Sequence, residues 1–160
     1  MSRALRLLVL GAAAGVAAAW VMETTQSALT RISEKSGEPR SPETPATVKA
    51  ANAMSKLTRG VPVPKAEQAA AGRKVHYATG AALGAVYMLI ADRYSFITSG
   101  FGNLFGVAVS LLMDETLVPA LKLSPPAGDV RLSRHLQGIA AHMSFGSVLE
   151  GARRVLSLAA

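Results

Sequence analysis

The chain contains no cysteine. Disulfides, thiolate metal sites and a cysteine nucleophile are therefore excluded. Aromatic residues make up only 5% of the 160 positions, and Trp20 is the single tryptophan. Soluble cores draw much of their packing energy from aromatic rings; here the apolar half of the chain is mainly Ala, Gly, Val and Leu. That composition suits helices that approach one another closely in lipid. Acidic residues are also scarce, 10 against 17 Lys and Arg, for a net charge of +7. A positive excess fits either nucleic acid or anionic lipid. The cations lie almost entirely between the apolar runs or at the chain ends, as the flanks of membrane helices do. No DNA- or RNA-binding motif is present, so no nucleic-acid partner is expected. Nucleophile elbows, metalloprotease helices and phosphate loops are missing too, which argues against an enzyme.

The apolar runs carry the expected fold. They cover 7–22, 75–91, 94–113 and 136–149, each followed or preceded by uncharged sequence. A spanning helix needs about 20 residues. The runs with their flanks predict transmembrane helices near 5–29, 68–91, 97–121 and 135–157. The first three are nearly apolar all round, whereas a soluble bundle would show polar faces at helical period. The fold class expected is all-α, an integral membrane four-helix bundle forming a single domain over 1–160. Arg3, Arg6, the apolar run and Ala17-Ala18-Ala19 would also suit a signal peptide.

An internal repeat argues against that alternative. At an offset of 91 residues, GAAAGVAAAWVMETT (11–25) lies over GNLFGVAVSLLMDET (102–116). Glu23 then matches Asp114, and the match continues into polar residues that a cleaved leader would have no reason to share. At an offset of 66, His76 and Gly80 lie over His142 and Gly146. The expectation is two repeated helical hairpins, parallel about an axis along the membrane normal.

In each hairpin the acid falls toward the end of the first helix and the histidine toward the start of the second. Glu23, His76, Asp114, Glu115 and His142 are therefore expected at similar depth, with His135 at the mouth. Charges there are costly, so they face the interior and pair. Three readings follow. Pairing holds the helices in register; or the cluster relays protons or ions; or it binds a metal, although Glu-x-x-His at helical spacing is absent. No cofactor is expected apart from that metal. Neighbouring residues on a helix point about 100° apart, so Asp114 is expected to face inward and Glu115 the adjacent groove, toward the fourth helix or a second subunit. Gly11, Gly15, Gly80, Gly84, Gly102, Gly106, Gly138 and Gly146 are the expected helix-packing positions.

The connection 31–67 holds a short amphipathic helix near 45–59, with Thr44 as its cap and Gly60 and Pro62 at its end. Lys49, Lys56 and Arg59 form its basic face, suited to a lipid surface, and Ala50, Met54, Leu57 and Val61 lie opposite; a cap packed over the bundle is the equal alternative. Lys and Arg number 5 on the side of the termini and 12 on the side of the long loop. The positive-inside rule therefore puts the termini outside and the loop in the cytoplasm.

The runs ATVKAAN, GRKVHYATGAALGAVY, GFGNLFGVAVSLLMDETLVPALKLSPP and LSRHLQGIAAHMSFG resemble the YagU-like bacterial inner-membrane proteins, a family of unknown function. The resemblance covers most of the chain after residue 46. Asp114-Glu115 ahead of Val118-Pro119, and His142-x-x-x-Gly146, are its most specific parts. It implies an inner-membrane protein with a link to acid tolerance, and it carries over no catalytic or binding residue. Two roles are therefore expected as alternatives: proton or ion handling, or an accessory subunit whose polar core fixes packing. The lipid bilayer is the expected partner, together with a homo-oligomer or a larger membrane complex.

Overall fold

The computed structural model describes residues 2–39 and 43–158. All regular structure among them is helical. Four long helices, α1 (Arg3–Lys35), α3 (Gln68–Ala91), α4 (Asn103–Leu112) and α6 (Leu132–Leu158), are joined by α2 (Ala46–Arg59) and by short turns. Beyond α4 the chain makes a π-turn over Met113–Leu117 and one further helical turn, α5 (Val118–Ala120).

Helix ends follow local chemistry. Ser2 accepts the N–H of Leu5 and caps α1, satisfying one of the donors a helix start leaves open. Gly60 ends α2 with φ +75°, a left-handed conformation that glycine adopts without a Cβ penalty. Pro45, not Thr44, occupies the cap position of α2, and no side chain bonds there. The first helix runs to Lys35 rather than stopping near 29, because no glycine or proline intervenes between Gly15 and Gly37. The third long helix starts at Asn103 rather than 97. Residues 95–98 form a separate 3₁₀ turn, and Phe101 and Gly102 both have positive φ, which breaks helical continuity.

Glycines set the packing. α1 crosses α3 where Gly15 lies against the Gly80 carbonyl and Gly84 against the backbone of Gly11 and Gly15. α4 crosses α6 where Gly102 meets the Gly146 carbonyl and Gly106 meets the His142 carbonyl. None of these sites has room for a Cβ. α1 packs on both α3 and α6, and α6 in turn packs on α4. Ala14, Ala18 and Ala19 of α1, Tyr87 and Met88 of α3, Phe105 and Val109 of α4, and Phe145 and Leu149 of α6 make the core. The Tyr87 and Phe105 rings lie 4.9 Å apart, centroid to centroid.

The expected equivalence of His76 with His142 is one helical turn out. With Gly11 and Gly15 placed over Gly102 and Gly106, the glycine seated on that pair is Gly84 in one hairpin and Gly146 in the other. Gly80 then corresponds to His142, and His76 to Gly138. The identities His-x-x-x-Gly align in sequence but not in packing, because the small residue at the crossing, not the histidine, decides the register.

α2 also departs from expectation. It packs on α3 through Val48, which lies against Gly72, with Ala51 and Ser55 buried beside it. The buried face is therefore neither of the two expected ones, and Met54, Leu57 and Val61 remain exposed.

The crossings are sensitive to single methyl groups. A Cβ on Gly84 would lie 2.6 Å from Gly15 Cα, a backbone atom that cannot rotate away. Gly84→Ala should destabilise the fold by about 1–3 kcal/mol. Gly128→Ala, where nothing lies within 4 Å, should leave the thermal unfolding midpoint in detergent unchanged. Equal midpoints for the two variants would remove the glycine crossing as the organising contact.

Candidate functional site

The π-turn originates in Pro119. Proline has no N–H to give and its ring crowds the carbonyl four residues back. The ladder widens ahead of it: the Val118 N–H bonds to Met113 O, five residues back, and the Thr116 hydroxyl bonds to Leu111 O at 3.0 Å. Single π-turns of this kind recur at functional sites. Asp114 and Glu115 both lie in it.

The widened turn aims both carboxylates at α6. The His135 ring lies 2.5 Å from Glu115, Nδ1 to Oε1. The same ring's Nε2–H faces the carbonyls of Ala127 at 3.1 Å and Val130 at 3.2 Å. Every partner of His135 is an acceptor, so Nε2 carries a hydrogen and Nδ1 shares a proton with the carboxylate. His142 sits two turns further along α6, about 10 Å away on the same face. Its Nδ1–H faces the Gly138 carbonyl at 3.0 Å and Asp114 Oδ2 at 3.4 Å. Ser110, one turn before Asp114, donates to the same oxygen at 3.4 Å. Gly138 leaves space for that carboxylate: a Cβ there would come within 3.2 Å of Asp114 Oδ2.

The two acid–histidine pairs line one cavity of about 250 Å³, bounded also by Met22 and Gln26 of α1, Arg134 and the 124–130 turn. His142 is almost enclosed, with 8% of its side chain accessible, whereas Asp114 is 42% accessible and opens into the cavity. Glu115 thus reaches the last helix at His135, and it lines the same cavity as Asp114.

Glu23 and His76 do not join this cluster. The Glu23 carboxylate accepts the Tyr77 hydroxyl at 2.7 Å, and His76 Nε2–H donates to Ala19 O at 3.0 Å. Glu23 faces a different groove between α1 and α3, lined also by Trp20, Arg31, Arg73 and Tyr77, while His76 ties α3 to the α1 backbone. Among the described residues no three His, Asp or Glu side chains converge to hold a metal ion.

Glu150, one turn beyond Gly146 on the face that carries His142, is fully buried. It accepts Tyr87 Oη at 2.7 Å, Arg153 Nε at 2.7 Å and Nη2 at 2.9 Å, and Arg154 Nε at 2.7 Å. The apolar setting of Tyr87 in the last turns of α3 was the available signal, since a buried phenol needs a polar partner.

A tether closes the loop side of the cavity. Glu38 Oε2 accepts the hydroxyls of Ser33 at 2.6 Å and Ser133 at 3.1 Å. Gln137 donates to Ser33 Oγ at 2.9 Å, and Arg134 donates to Pro39 O at 2.8 Å. These bonds join the end of α1 to the start of α6. The two hydroxyls, helped by the positive charges of Arg131 and Arg134, hold the Glu38 carboxyl below its ordinary value.

By length and composition two helices, Arg3–Lys35 and Asn103–Ala120, are apolar enough to cross a membrane, with mean hydropathies of 1.9 and 1.2. Comparison with known families gives one match: the model of a protein of unknown function, DUF1440, matches residues 33–151. No curated protein and no solved structure matches the chain.

The Glu38 tether has a defined pH dependence. A carboxylate whose folded value is lowered stabilises the fold fully above its ordinary value and loses that contribution as pH falls through the folded one. Amide protection of residues 33–38, relative to the intrinsic rate at each pH, should therefore be high at neutral pH and fall below the usual carboxylate range. Glu38→Gln should show low protection at both. Protection in the native chain that stays constant across that range would contradict the tether.

Proposed function

The chain belongs to the DUF1440 family, whose members are described as proteins of unknown function, and from that premise we propose that it is a multi-pass inner-membrane protein that handles protons through the pairs Glu115–His135 and Asp114–His142. The observation that carries the reading is the placement of both pairs on one face of α6, opening to one cavity. Imidazole titrates near pH 6.5 and is the usual partner of carboxylates in proton relays. The two pairs are joined at Asp114 and Glu115, consecutive in one turn and lining one cavity, so water in that cavity can link them. The likeness to YagU-like inner-membrane proteins, with their link to acid tolerance, supports the same direction.

Membrane insertion of all four long helices is part of the proposal. Leu5, Val9 and Val16 of α1, Val86 of α3, and Leu111 and Leu112 of α4 stand exposed on the flanks of the bundle. Apolar flanks of that extent are a liability in water and a requirement in lipid. Residue 60 is then cytoplasmic and the C-terminus outside. Reporter fusions at those two points should give opposite sides; matching sides would exclude an odd number of spans between them and the proposed topology with it.

The alternative, an accessory subunit in which the pairs fix packing, draws on two contacts. His142 shares its N–H with a carbonyl of its own helix, and His135 holds the turn 127–130 in place. Proton flux separates the two readings. In reconstituted vesicles with an internal pH dye, the native protein should raise proton entry at pH 5–6 above protein-free vesicles, and Asp114→Asn should reduce it by an order of magnitude or more while still inserting. A correctly folded Asp114→Asn with native flux, or native protein with none, would favour the packing role.

A further inference from the structure

The second groove carries a separate assignment. It lies between α1 and α3, has a volume of about 480 Å³, and runs from Trp20 past Glu23 and Ser27 to Arg31 on the α1 wall. Tyr77 and Arg73, four residues apart, form the α3 wall. Trp20 and Arg31 are eleven residues apart, so the groove spans about 17 Å along the helix.

Its charges are arranged asymmetrically. The Glu23 carboxylate is occupied by the Tyr77 hydroxyl. Arg31 and Arg73 lie at the loop end of the groove, both exposed, and neither makes a hydrogen bond or ion pair among the described residues. Two guanidinium groups thus face one already bonded carboxylate. Ser27, exposed between them and Trp20, adds a hydroxyl donor. At the opposite end Trp20 is 60% exposed, next to exposed Val16 one turn earlier.

We infer that this groove binds a phosphate ester anion, with Arg31 and Arg73 on the phosphate and Trp20 beneath the rest of the ligand. Guanidinium forks match phosphate oxygens in pairs. Basic pockets between membrane helices at the cytoplasmic side take anionic headgroups, and the tryptophan ring suits the boundary between headgroup and acyl chain. The same chemistry would be met by a soluble phosphate ester, which lacks acyl chains to place on Trp20 and Val16. This site shares no residue with the acid–histidine cavity, so it stands whether or not that cavity moves protons.

The single tryptophan of the chain makes the groove its own reporter. The full-length protein is placed in nanodiscs of phosphatidylglycerol and phosphatidylcholine at fixed proportions, with bromine on the acyl chains of one lipid or the other. Bromine on phosphatidylglycerol should quench Trp20 more strongly than the same mole fraction on phosphatidylcholine. Arg31→Gln with Arg73→Gln should erase the preference, roughly fivefold for each charge removed. Lys65→Gln with Lys122→Gln, an equal loss of charge outside the groove, should keep it. Equal quenching by the two lipids in the native protein would overturn the proposal, as would a preference that survives Arg31→Gln with Arg73→Gln. A saturable Trp20 response to glycerol 3-phosphate in discs of phosphatidylcholine alone, lost in the arginine variant, would assign the site to soluble phosphate esters instead of lipid.

Discussion

The contact on which the rest of this structure depends is backbone against backbone. At Gly15 and Gly80, at Gly84 and Gly11, and at Gly102 and Gly146, two helices meet with no side chain between them. In the proposed membrane setting, lipid provides no hydrophobic drive for one apolar helix to bind another, and close van der Waals contact has to supply it. Large side chains at these places would hold the axes apart. The grooves beside the crossings would then lose the distances that let Tyr77 reach Glu23 and His142 approach Asp114.

Close approach also explains where the polar chemistry sits. The α1–α3 crossing falls inside both helices and the α4–α6 crossing at the start of α4, and most of the paired ionisable groups lie away from them, toward the loop end. Toward the loop end lie Glu23 with Tyr77 on one pair, and Asp114, Glu115, His135 and His142 on the other. Glu150, at the far end of α6, is the exception in burial. It is enclosed by Tyr87 and two arginines that reach outward. A buried carboxylate left without such partners would be strongly disfavoured, so Tyr87, Arg153 and Arg154 form one unit with it.

Pro119 does for α4 what glycine does for the crossings. It removes one N–H, the turn ahead of it takes in an extra residue, and two consecutive acids come to face one neighbour. A regular α-helix would have separated them by about 100° and left only one beside α6.

Composition and spacing were enough to determine that the chain is all-helical, because long uncharged runs rich in Ala, Gly, Val and Leu, with cations confined to their ends, leave no other way to satisfy the backbone. The glycines at helical spacing were legible for the same reason, and so was the location of Asp114, Glu115, His135 and His142 near one end. Partner choice was not legible. The tertiary structure decided that Glu115 meets His135 and Asp114 meets His142, that Glu23 takes Tyr77 and His76 the Ala19 carbonyl, and that Glu150 is enclosed. Each of these turns on the rotation and register of one helix against another. A shift of one turn, about 5.4 Å, exchanges Gly80 for Gly84 at a crossing without altering the periodic pattern, so identical sequence signals accompany different contacts and only the packed backbone distinguishes them.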